Sequence, residues 1–233
     1  MSIRDNLDIS SYLVLGPENT LGRSVGEVVS QALEAGFTCI QVRSKVIDAR
    51  DLIACVREAA DAIAAASKQD SVALLVDDRL DVVLAAREAG IKVDGVHVGQ
   101  SDIPVEVCRK YLGEDSIVGL SARAHEMREY IQTADMTQVD YLGVGPLHET
   151  ATKPDCGKDI DGSIITRSLE ELSDLAAVSP KPIVVGGGVK VADIPALAKT
   201  GVDGFFVVSA VCGAEDPYAA ARELVDTWSQ SID

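Results

Sequence analysis

In QVRSK, Gln41, Arg43 and Lys45 stand at alternate positions, so an extended backbone would project all three from one face. An amide and two cations in a row suit an anion. If the strand has already ended, they are loop charges facing solvent. Further on, VDDR sets Asp77 beside Asp78, and GQSD adds Asp102. Carboxylates on neighbouring loops suit a hard cation such as Mg²⁺, which keeps several waters and completes its shell from a substrate phosphate. Helix capping is the other role open to them, because Asp78 precedes an amphipathic stretch at Val82 and Asp102 one at Val105. Asp77 and Asp78, as adjacent strand residues, would point to opposite faces unless the strand has already turned. An Asp77 facing the site would repel an anionic ligand in the absence of metal.

A second group of residues suits phosphate. VVGGGVK holds three successive glycines, including Gly187 and Gly188, and VVSAV holds Ser209. Glycines let backbone N–H groups approach a phosphate closely, although a structural tight turn needs glycine too. T-A-T-K spaces Thr150 and Thr152 on one face and adds the point charge of Lys153, where a solvated loop is the alternative. Of the three histidines, His97 reads as a satisfied core residue, His125 opens a helical stretch and His148 has no role assigned. No Ser/His/Asp or Cys/His spacing marks a nucleophile.

The elements that would position these residues alternate. Short apolar runs begin at Tyr12, Phe37, Val72, Gly95, Ile117, Val139, Pro182 and Gly204. Between them lie stretches of helical spacing: Val25 to Leu33, Leu52 to Ala66, Val82 to Ala89, Val105 to Tyr111, His125 to Ile131, Ile164 to Ala176, Ile194 to Ala198 and Pro217 to Trp228. Nearly continuous apolar strands imply a parallel sheet buried on both faces, and about eight β/α units in this length suit a closed (β/α)₈ TIM barrel forming one domain over residues 1–233. A doubly wound open sheet would want a glycine-rich loop after the first strand, and GPENTLG fits that poorly. In a barrel the chemistry gathers where strands end. There the residues above would make two anion sites with a divalent metal between carboxylates, a mouth suited to joining two phosphorylated substrates.

Composition narrows the partners. A net charge of −16 repels nucleic acid and anionic membranes. Five cysteines, an odd number without a C-x-x-C pair, read as reduced thiols. Neither a signal-type apolar segment nor a run of about 18 apolar residues is present. The expectation is a cytoplasmic enzyme of small phosphorylated molecules, with homo-oligomerisation left open.

In unbroken order from about Tyr12 to Trp228, Q-V-R-S-K, D-D-R-L-D-V, G-V-H-V-G-Q-S-D, G-L-S, G-V-G-P with T-A-T-K, G-G-G and V-V-S-A closely resemble the thiamine phosphate synthase family. The resemblance implies a TIM barrel that joins hydroxymethylpyrimidine pyrophosphate to a thiazole phosphate with Mg²⁺, releasing pyrophosphate. It implies that Gln41, Arg43, Lys45, Ser121 and Lys153 bind the pyrimidine pyrophosphate, the last four acting on its departure. Asp78 and Asp102 would hold Mg²⁺. Thr150, Thr152, Gly188, Val208 and Ser209 would hold the thiazole phosphate, with Gly187 shaping the loop. The family usually has Asn-Asp at Asp77-Asp78, Asp-Pro at Gly16-Pro17, and Thr or Val followed by His after the serine where this chain has Ala122-Arg123-Ala124. Two rivals are a thiazole tautomerase of the same superfamily, which needs neither pyrophosphate nor metal, and a non-catalytic barrel that binds phosphorylated metabolites.

Overall fold

The computed structural model describes residues 2–122, 127–149 and 165–232. These form eight parallel strands: β1 (Ser11–Leu15), β2 (Cys39–Val42), β3 (Ala73–Asp77), β4 (Gly95–Val98), β5 (Ile117–Ser121), β6 (Tyr141–Val144), β7 (Ile183–Val185) and β8 (Gly204–Val207). Each pairs with the next and β8 pairs with β1, closing the barrel. The helices that follow the strands are α1 (Val25–Ala35), α2 (Ala49–Ala65), α3 (Leu80–Glu88), α4 (Val105–Leu112), α5 (Met127–Thr133), α6 (Leu169–Val178), α7 (Ile194–Ala198), α8 (Ser209–Cys212) and α9 (Pro217–Ile232). The open sheet is thereby excluded.

Alternation along each strand sorts the core into two. Tyr12, Val14, Cys39, Ala73, Leu75, Ile117, Tyr141 and Val184 point into the barrel, with Phe206 against them. Their neighbours Leu13, Leu15, Ile40, Val42, Leu74 and Val76 point outward and pack against the helices. Both faces of a strand are covered, which is why the strands read as unbroken apolar runs.

Helices α1, α2 and α6 begin where a side chain satisfies an orphan N–H. Ser24 accepts from Glu27 N at 3.1 Å, Asp48 from Asp51 N at 3.0 Å and Ser168 from Glu171 N at 3.1 Å. Helix α2 therefore starts at Ala49, three residues ahead of Leu52, where the apolar period first registers.

Polar rings lace the barrel's N-terminal rim. Thr38, Asp94, Asp140 and Asp203 immediately precede β2, β4, β6 and β8. Their side chains accept the main-chain N–H of Ser11 (3.3 Å), Leu74 (2.7 Å), Val118 (2.7 Å) and Ile183 (2.7 Å) in the strand before. Their own N–H groups return a bond to the same residues' carbonyls, at 3.0 Å for Thr38 and 2.8 Å for the three aspartates. Four even strands are thus each locked to the preceding odd one. Asp140 also takes Arg109 and Arg4, each at 2.7 Å. This rim serves stability, and the candidate chemistry lies at the opposite end.

Candidate active site

Strand β2 ends at Val42, so the alternating ladder expected over Gln41, Arg43 and Lys45 is not one extended strand. Only Gln41 lies within it, buried, its Nε2 donating to the Tyr12 hydroxyl at 2.7 Å. Arg43 and Lys45 sit in the loop beyond, yet they turn toward β3. Arg43 Nε lies 2.9 Å from Asp77 Oδ2, and the Lys45 ammonium pairs with Asp78. Neither cation simply faces solvent, because the carboxylates at the end of β3 draw both in.

Asp77 is the last residue of β3 and is buried. Asp78 has φ +59°, a left-handed conformation that costs about 1 kcal/mol or more in a non-glycine residue. Its N–H donates to the carbonyl of His97 at 2.7 Å. The chain has turned between the two aspartates, so adjacency does not send them to opposite faces, and their carboxyls lie within hydrogen-bonding reach of each other.

The capping role fails for both Asp78 and Asp102. Arg79 and Pro104 cap α3 and α4, and neither makes a side-chain cap bond. Instead Asp102 Oδ2 accepts the Gly99 N–H at 2.8 Å, closing its own loop, and its carboxyl meets that of Asp78. Burial pushes both acids up. For Asp78 this is overcome by Lys45 and by the hydrogen bond from Asp102, which together hold it below the ordinary carboxylate value. For Asp102, burial and the neighbouring Asp78 raise it. The two carboxyls are therefore pushed apart, Asp78 toward the ionised form and Asp102 toward the protonated one. Among the described residues no group of three or more His, Cys, Asp or Glu side chains gathers for a metal. Two hard oxygen donors with an ammonium already drawn to them are a donor set that fits Mg²⁺, which commonly takes one or two carboxylates and leaves the rest to water and phosphate.

Beneath these charges a line of polar side chains crosses the barrel interior. From Gln41 it runs to Tyr12, whose hydroxyl is 2.7 Å from that of Tyr141. Tyr141 in turn is 2.9 Å from His97 Nδ1, and His97 Nε2 is 2.9 Å from Ser121 Oγ. His97 is a satisfied buried residue, as its place in an apolar strand predicts. Room for its ring comes from missing side chains: His97 pairs with Gly119, Gly119 with Tyr141, and Ser121 with Gly143. A Cβ at Gly119 would overlap the Tyr141 ring and lie 2.5 Å from His97 Nδ1, and one at Gly143 would lie 3.0 Å from His97 Cε1. Sequence reasoning missed Tyr12 and Tyr141, which read as apolar strand positions. It also missed Gln100, whose Nε2 donates to the Ser121 carbonyl at 2.8 Å. The only sequence signal was the strand register that aligns a histidine, a glycine and a tyrosine.

On the other side of the mouth, Gly187 and Gly188 follow β7 with φ of +83° and +72°. Side chains rarely adopt these values, and a Cβ at Gly188 would also lie 2.9 Å from His148 Cβ. Val208 is half-buried at the end of β8 and Ser209 is exposed, opening the four-residue α8. Strands β7 and β8 are paired, so the two loops are neighbours. His148 binds this edge, its N–H donating to the Gly187 carbonyl at 2.9 Å and its Nε2 lying 3.0 Å from Asp193 Oδ1. Thr150, Thr152 and Lys153 lie outside the described residues.

Comparison with known proteins agrees with this geometry. A family profile described as thiamine monophosphate synthase matches residues 11–211. The chain is 38% identical over 228 residues to a thiamine-phosphate synthase of Corynebacterium efficiens, covering 98% of this chain and 99% of that one. It is 35% identical over 221 residues to one of Clostridium novyi, covering 95% and 99%. Among solved structures it superposes on a thiamine phosphate pyrophosphorylase from Pyrococcus furiosus with a TM-score of 0.77 at 29% identity, covering 99% of this chain and 100% of the other. A (S)-3-O-geranylgeranylglyceryl phosphate synthase from Thermoplasma acidophilum, at 14% identity and a TM-score of 0.66 with 99% of each chain covered, shares the fold.

Proposed function

The chain belongs to the thiamine monophosphate synthase family, and on that premise we propose that it is a single-domain enzyme joining hydroxymethylpyrimidine pyrophosphate to thiazole phosphate. The observation that carries this reading is the convergence of Arg43 and Lys45, from the loop after β2, on Asp77 and Asp78 at the end of β3. Those cations sit beside the carboxyl pair of Asp78 and Asp102. That is the equipment for a charged leaving group held next to a divalent ion.

In the proposed reaction the bond between the pyrimidine's methylene carbon and the pyrophosphate oxygen breaks, its electron pair leaving with the pyrophosphate. The thiazole nitrogen then donates a pair to that carbon. Arg43, Lys45 and Lys153 hold the pyrophosphate oxygens and take up the charge that develops on them, and Ser121 adds a hydroxyl donor. Gln41 stands below, on the barrel axis, to orient the pyrimidine end of the same substrate. Asp78 and Asp102 would hold Mg²⁺, which when bound supplies further positive charge to the departing group. Gly188, Val208 and Ser209 on the far side hold the thiazole phosphate, with Gly187 shaping the β7 loop, and the family resemblance adds Thr150 and Thr152 to that role, so that the nucleophile waits close to the carbon. The reaction needs no side-chain nucleophile.

The test is a coupling assay with both purified substrates, with and without Mg²⁺, analysed for thiamine phosphate. Metal-dependent product supports the reading. Absence of product with both substrates and Mg²⁺ overturns it, and isomerisation of the thiazole alone would move the protein to the tautomerase branch. Lys153→Ala should lower kcat by roughly 10²-fold.

A further inference from the structure

We propose that Gln41, Tyr12, Tyr141 and His97 form a one-way hydrogen-bond relay that makes Ser121 Oγ an acceptor from His97, leaving the serine's own hydrogen for the barrel mouth. The inference rests on the proposed reaction only for what Ser121 then touches, the departing pyrophosphate. Tyr12, Tyr141 and His97 are accordingly positioning residues.

Direction is set at the Gln41 end. An amide nitrogen donates only, so the Tyr12 oxygen is the acceptor in that 2.7 Å contact. The Tyr12 hydrogen must then go onward. Two acceptors are near it, the Tyr141 oxygen at 2.7 Å and the sulfur of Cys39. Sulfur is a weak acceptor, and 2.7 Å is the favoured O–H···O distance, so Tyr141 receives it. Tyr141 passes its own hydrogen to His97 Nδ1 at 2.9 Å. A neutral imidazole that accepts at Nδ1 carries its hydrogen at Nε2. Nε2 therefore donates to Ser121 Oγ, also at 2.9 Å. Ser121 is half-buried at the mouth end of β5, and because the Nε2 that faces it already carries a hydrogen and cannot accept, the serine's own hydrogen is directed elsewhere. The arrangement is built into the strands, since Gly119 and Gly143 clear the space that the ring and phenol fill.

Two measurements test the relay. Nitrogen–proton correlation spectra of the whole protein with isotope-labelled histidine read the tautomer directly and need no turnover. A hydrogen on Nε2 of His97 is expected, and a hydrogen on Nδ1 overturns the proposal even if the enzyme makes thiamine phosphate. In turnover, Tyr141→Phe should lower kcat about tenfold with KM for both substrates nearly unchanged, a fraction of the loss seen on removing a charge-stabilising donor outright. In a Ser121→Ala background the same change should have no further effect, because it acts through that hydroxyl. Multiplied losses would make Tyr141 merely structural and overturn the relay. Tyr12→Phe provides the same cycle should Tyr141→Phe fail to fold.

Discussion

Arg43 and Asp77 face each other between the ends of β2 and β3, the guanidinium Nε 2.9 Å from the carboxylate Oδ2, with side chains only 14% and 3% exposed. Asp77 stands where the resemblance expects asparagine, and its charge is already matched by Arg43. A pyrophosphate reaching for Arg43 must therefore compete with an internal carboxylate. Asp77→Asn should tighten metal-free binding of the pyrimidine pyrophosphate roughly tenfold, equivalent to about 1.4 kcal/mol. Calorimetric titration with and without Mg²⁺ measures it, and an unchanged metal-free affinity would show that Arg43 does not reach the ligand.

Gly119→Ala should be costly although it adds one methyl group. That methyl would overlap the Tyr141 ring and lie 2.5 Å from His97 Nδ1, in a layer with no room to shift. Overpacking of this kind costs about 1–3 kcal/mol. Urea unfolding should show the loss, and a variant as stable as the wild type would mean that the layer can repack.

Gly188→Ala should act on one substrate only. Its φ of +72° and the 2.9 Å approach to His148 Cβ oppose any side chain there. The KM for thiazole phosphate should rise several-fold while that for the pyrimidine pyrophosphate stays put. Steady-state kinetics with each substrate varied in turn decides it, an equal rise in both KM values counting against the assignment of this loop.

Asp94 predicts a pH dependence of stability. Burial outweighs the Lys92 ammonium 2.7 Å away and raises its carboxyl above the ordinary value. Its proton is held more tightly in the folded than in the unfolded chain. The resulting stability is present below the unfolded value of about 3.9 and fades as pH rises through the folded one. Asp94→Asn keeps an acceptor for Leu74 N–H and removes the titration. Its Tm relative to wild type should therefore climb as pH increases from about 4. A Tm difference that is flat with pH would contradict the raised carboxyl.

Periodicity carried the fold well. Strands β4 and β5 and helix α7 begin and end where the apolar runs do, because continuous burial on both faces leaves no other pattern. Caps were harder to see, as at Asp48, where the helix precedes its first buried leucine. At the site, residue types pointed to the carboxylates and cations, while their partners depended on geometry that spacing does not encode. The left-handed turn at Asp78 and the end of β2 at Val42 decide what Asp77, Arg43 and Lys45 can touch. The tyrosines were illegible for a plainer reason. A phenol in an apolar strand looks like core until the register sets a histidine and another hydroxyl against it.

The reciprocal rings at Thr38, Asp94, Asp140 and Asp203 each join an even strand only to the odd strand before it. At that rim each side-chain clasp closes one parallel β–α–β unit, four in all. A break in the chain between β4 and β5 would leave every clasp inside one fragment or the other. A break between β3 and β4 would part Leu74 from Asp94. Two co-expressed halves of the first kind should reassemble into a barrel more readily than two pieces of the second. A duplicated ancestor would be sought in units of two strands, not one.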